Sequence, residues 1–129
     1  MDILLTIHSI LRWFIIIFAA LTIFKFAVSW AGNQSFKAMD RGLASGLSGL
    51  MDMQVLLGLI YFFVTGFGGA GFPGYRIFHL LLMLAAAALM HVPARLKALG
   101  DKQRFSYSIV SILAALVLVF VGVAMLAGK

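Results

Sequence analysis

The sequence predicts an all-α integral membrane protein, one domain over residues 1–129 folded as an up-down-up-down four-helix bundle, and three observations carry that prediction. First, 64% of the residues are apolar and only 11% are charged, with a mean hydropathy of +1.10, whereas a soluble domain is near half apolar and a quarter charged. Second, four apolar runs reach the roughly 20 residues that a helix needs to cross ~30 Å of hydrocarbon. Third, none of the runs shows the alternation of a barrel strand, so the backbone groups must be satisfied inside helices.

The first run extends from about residue 3 to 30. It carries Asp2, lacks a basic leader and is longer than a signal-peptide core, so it is expected to remain in the mature chain. The second run, about 46–67, follows Gly42, Gly46 and Gly49 interleaved with Ser45 and Ser48. Small residues at that spacing let helices approach closely, within the bundle first and against another subunit second. The third run, about 75–96, comes after Gly66-Phe67-Gly68-Gly69-Ala70-Gly71-Phe72-Pro73-Gly74. That connection reads as a short flexible outer loop with Pro73 suited to a helix start, or as bare backbone packed on a cofactor edge or a neighbouring subunit. The fourth run covers about 106–126.

Charge orients the bundle. Lys37, Arg41, Lys97, Lys102 and Arg104 lie in the loops after the first and third runs, with Lys25 and Arg95 at the adjoining helix ends. Only Arg12, Arg76 and Lys129 fall on the other side, and the positive-inside rule then places both termini outside. The net charge of +6 is accounted for by membrane topology, and no nucleic-acid partner is expected. With no cysteine, disulfides, thiolate-held iron–sulfur clusters and Cys-type zinc sites are excluded.

Titratable side chains within apolar spans are costly and mark functional candidates. They are His8, Arg12, Lys25, Asp52, Arg76, His79 and His91. Lys25 lies near the inner end and reads as a snorkelling anchor. Trp13, Trp30, Tyr61, Tyr75 and Tyr107 fit interfacial belts. His8 and His79 each fall five residues into parallel spans, which puts both imidazoles roughly 7–8 Å below the outer boundary. Arg12 lies one turn from His8 and Arg76 one turn from His79, on the same helix faces. Two imidazoles and two guanidiniums converging in a dry bundle suit haem b, with His8 and His79 as axial ligands to the iron and Arg12 and Arg76 neutralising the propionates. Taken singly, each histidine is equally read as an imidazole bonded to a neighbouring carbonyl or serine.

Asp52 and His91, counted from the inner ends of the second and third runs, share a second plane. A carboxylate–imidazole pair with Gln54 nearby suits a quinone head-group site or proton relay, as it also suits two core groups satisfying each other. The twelve-residue separation of His79 and His91 puts them roughly 120° out of phase, which disfavours two haems along one face.

The string His8-Ser9-Ile10-Leu11-Arg12-Trp13 resembles the HSxxRW motif of small bacterial four-helix membrane proteins commonly labelled cytochrome b-like. The likeness extends through Gln54-Val55-Leu56-Leu57-Gly58-Leu59 and to His79 and His91. It implies a haem-bearing or quinone-linked electron carrier of the bacterial inner membrane. That family tends to carry His where this chain has Asp52, so no ligand role transfers there, while a His8–His79 pair is unaffected.

Three functional classes follow. One is a bis-His cytochrome b passing electrons from quinol to an outer-face acceptor; another is an accessory transmembrane subunit of a respiratory or photosynthetic complex. The third, a small transporter using Asp52 and His91, is disfavoured because four helices leave little room for a pore. No nucleophile elbow, phosphate loop, dinucleotide fingerprint or zinc helix motif occurs.

Overall fold

A computed structural model of the chain describes residues 2–127. Its helices are α1 (Asp2–Ala31), α2 (Ala38–Thr65), α3 (Gly74–His91) and α4 (Asp101–Leu126); a π-helical turn (Gly66–Ala70) prolongs α2 and a 3₁₀ turn (Val92–Arg95) prolongs α3. The protein is an all-α four-helix bundle, with no strand among the described residues, and all four helices are long and apolar enough to cross a membrane. Each helix packs on its two chain neighbours, with α4 closing the ring against α1; α1 and α3 are diagonal partners, as are α2 and α4.

A 3–4 spacing of inward residues on every helix builds this ring, the pattern that keeps one stripe facing a bundle axis. On α4 the stripe is Phe105, Ser108, Ile112, Ala115, Val119 and Gly122, and on α1 it includes Ile15, Ala19, Thr22 and Phe26. On α2 it runs through Asp40, Ala44, Leu47, Met51 and Gln54. In the half of the bundle nearer the basic loops these stripes meet as a close-packed, mainly apolar core, capped by Phe26, Phe36 and Phe105 with ring centroids 4.9–5.7 Å apart.

The structure departs from the sequence expectations at helix ends, for identifiable reasons. Helix α2 starts at Ala38 rather than Gly46, because Asp40, fully buried, accepts from the Lys37 backbone N–H at 2.9 Å and pairs with Lys25 Nζ at 2.5 Å. Lys25 is thus a partner for a buried carboxylate rather than only a snorkelling anchor. Helix α4 likewise starts earlier, at Asp101 instead of about 106, and α3 gives way at His91 to the 3₁₀ turn that contains Pro93. The outer glycine connection is not a free loop. Residues Gly66–Ala70 continue α2 as a π turn, and Gly69 (φ 122°) and Gly71 (φ 70°) take left-handed conformations that reverse the chain into Pro73.

Candidate functional site

In the half of the bundle away from the basic loops the same inward stripes change character. Leu5, His8, Arg12 and Ile15 follow one another on α1; Gln54, Gly58, Tyr61 and Thr65 on α2; Arg76, His79 and Met83 on α3. These residues, with Val119 and Val123 of α4, line a cavity of about 470 Å³, within the 300–1,000 Å³ usual for small-molecule and cofactor sites. The apolar core below forms its floor.

His8 and His79 therefore enter one cavity from diagonally opposed helices. Each imidazole lies against a glycine of a neighbouring helix. A Cβ on Gly58 would stand 3.1 Å from His8 Cε1, and one on Gly122 would meet Met83 Cε at 2.5 Å first and His79 Nδ1 at 3.2 Å. His79 Nδ1 lies 2.9 Å from the Gly122 carbonyl oxygen, which only accepts, so Nδ1–H is the donor and Nε2 carries the free lone pair. His8 Nδ1 is buried without a hydrogen-bond partner.

Gln54 belongs to this cavity and not to the Asp52–His91 pair expected from the sequence. Two positions along a helix are roughly 200° apart, so Gln54 points inward where Asp52 points out. Its Nε2 donates to the His8 carbonyl at 2.7 Å, and its Oε1 is buried with no donor. Gly58, Gly122, Tyr61 and Thr65 were also not picked out as site residues in the sequence. Extending the 3–4 spacing from Gln54 along α2 would have found Gly58, Tyr61 and Thr65.

The two arginines differ. Arg76 donates from Nη1 to the Gly71 carbonyl at 2.5 Å and from Nη2 to Thr65 Oγ1 at 2.6 Å and the Phe62 carbonyl at 3.3 Å, with its guanidinium over the Phe62 ring. It clasps the π turn to α3 and closes the outer end of the cavity. Arg12 faces the Trp13 ring at 5.5 Å and makes no hydrogen bond or ion pair among the described residues. It is within electrostatic reach of both His8 and His79.

Asp52 and His91 do meet, across the α2–α3 seam. His91 Nε2 lies 2.8 and 2.9 Å from the two Asp52 oxygens. Their side chains are 53% and 42% exposed, so the pair sits on the outer surface of the bundle rather than in its core. Asp52 lies midway along α2, not near its inner end as the shorter span implied. No family model, curated protein or solved structure matches the chain.

Proposed function

We propose that the protein is a small membrane electron carrier, similar to a b-type cytochrome, that holds one haem b between His8 and His79. A single observation carries this reading: two imidazoles reach one cavity from diagonal helices, each given room by a glycine, beside an arginine with no carboxylate. Bound there, haem would supply reversible one-electron transfer between ferric and ferrous iron.

The remaining work falls to the chain. The Gly122 carbonyl fixes the tautomer and ring orientation of His79, leaving Nε2 as the ligating atom. Gln54 ties the His8 backbone to α2 and offers Oε1 as an acceptor within the same lining. Arg12 would supply the positive charge to balance the propionates of a bound haem. Arg76 secures the outer closure. Ile15, Met51, Met83 and Val119 keep water from the floor. The Asp52–His91 pair, open to the surrounding hydrocarbon, suits a quinol arriving sideways from the bilayer, with the pair taking the proton released on oxidation.

A reduced-minus-oxidised spectrum of the purified protein tests the proposal. A low-spin haem signal is expected from the wild type and from His91→Ala, and neither His8→Ala nor His79→Ala should retain it. Protein isolated without haem, or a spectrum indifferent to both His8 and His79, would overturn the reading and favour an accessory subunit.

A further inference from the structure

A second pocket opens at the opposite end of the bundle, where the basic loops gather. It measures about 190 Å³ and lies between the start of α2, the 3₁₀ turn and the start of α4. Arg41, Lys97 and Arg104 line it together with the Ser45 hydroxyl, and Phe36 and Pro93 form its apolar wall. No carboxylate is among the lining residues. None of the three cations is in an ion pair among the described residues: Asp40 is taken by Lys25, Asp52 by His91, and Asp101, in the first turn of α4, pairs with none of them. Arg104 is held with its guanidinium carbon 3.8 Å from the centre of the Phe36 ring, and its Nε is buried with no hydrogen-bond partner.

Three cations brought together from three separate elements repel one another, and a buried N–H without an acceptor is costly. Both costs are met by one anion that offers several acceptor oxygens. A phosphate does so, and guanidinium groups match its geometry. The pocket lies at the end of four membrane-length helices. Farther along α2 and α3, from the level of the Asp52–His91 pair onward, apolar side chains are exposed, among them Met53, Leu56, Leu81 and Leu84. A ligand suited to both surfaces carries its phosphate on acyl chains.

We propose that this pocket binds the phosphate of an anionic glycerophospholipid, with Arg41, Lys97 and Arg104 holding the headgroup and the acyl chains lying on α2 and α3. The site is independent of any cofactor in the outer cavity. Each basic side chain at such a surface changes affinity by about fivefold, so two change it by about thirtyfold.

The test is a titration of delipidated protein in neutral detergent with short-chain phosphatidylglycerol, phosphatidylcholine or inorganic phosphate, followed by native mass spectrometry. Phosphatidylglycerol is expected to bind at least thirtyfold more tightly than phosphatidylcholine. Arg41→Gln and Lys97→Gln should each weaken it about fivefold, and together about thirtyfold. Lys102→Gln, which removes the same charge from outside the pocket, should leave it unchanged. Equal binding of the two lipids would overturn the proposal, as would an equal effect of Lys102→Gln. Inorganic phosphate competing at the lipid's own concentration would assign the pocket to a free anion and overturn the lipid reading.

Discussion

Gly58→Ala separates a glycine that makes room for a ligand-bearing imidazole from one that merely lets two helices approach. The added Cβ would lie 3.1 Å from His8 Cε1, whereas carbon atoms settle at about 3.5–4.0 Å. The ring must therefore retreat by roughly 0.5 Å. In the empty protein it has somewhere to go, since it borders the cavity and its Nδ1 is held by no hydrogen bond. With the ring pinned between α2 and an occupant, the same overlap becomes overpacking, worth about 1–3 kcal/mol. At 1.4 kcal/mol per decade that weakens haem binding roughly 5- to 150-fold. The assay pairs a haem titration, followed by absorbance, with thermal unfolding of the haem-free protein in detergent. Weakened binding with a nearly unchanged haem-free midpoint is expected. A midpoint that falls while the haem affinity holds would refute the reasoning and make Gly58 a packing residue.

Other perturbations address separate links of the argument. Arg12→Ala should retain the haem and lower its reduction potential by on the order of 50–100 mV, because a nearby positive charge favours the ferrous form; a potentiometric titration reads it, and an unchanged value would place Arg12 away from the cofactor. Lys25→Met leaves the fully buried Asp40 without its cation and should cost about 3 kcal/mol, the low end for a broken buried pair because Lys25 is partly solvated. Adding Asp40→Asn should recover most of that loss in detergent unfolding. Asp52→Asn should leave the haem spectrum intact and reduce quinol-linked turnover about a hundredfold; loss of haem would make the carboxylate structural. A protease site placed after residue 129 should be cut only from the side opposite the Lys97 loop, and cleavage from that loop's side would reverse the orientation.

The bundle was legible because each span is long, apolar and bounded by charge, and because the inward stripe repeats at 3–4 spacing on every helix. Those features place His8, Arg12, Arg76 and His79 on the axis without any knowledge of the fold. The beginning of α2 was not legible. Gly42, Ser45 and Gly46 look like a loop to an apolar window, and only the distant partners Lys25 and Phe26 make a buried Asp40 and a helix from Ala38 worthwhile. That boundary then distorted depth. Measured from Gly46, Asp52 falls near the inner end; measured from Ala38, it falls at mid-helix. The direction of Gln54 was open to view, since residues two positions apart on a helix point to opposite faces, but proximity in sequence grouped it with Asp52.

Helix α2 consequently acts as a partition. Its inner face carries Gln54 and Gly58 against His8, and its outer face carries Asp52 against His91. The polar surface pair and the cavity are then separated by about the 10–12 Å width of one helix rather than by the depth of a bilayer. A proton-conducting transporter would need polar groups continuing down the bundle axis. Below the cavity the buried residues are mostly apolar, Ala19, Leu47, Met51, Ala86, Met90, Ile112 and Ala115, with the hydroxyls of Thr22, Ser48, Ser108 and Ser111 among them and Asp40, engaged by Lys25, at the far end. Hydroxyls separated by apolar packing do not make a titratable relay, whereas the lateral path across α2 is about 10–12 Å. On the proposed reading, a proton would be taken at the hydrocarbon-facing pair and an electron passed behind one helix without a pore, and this division of labour favours the carrier over the transporter.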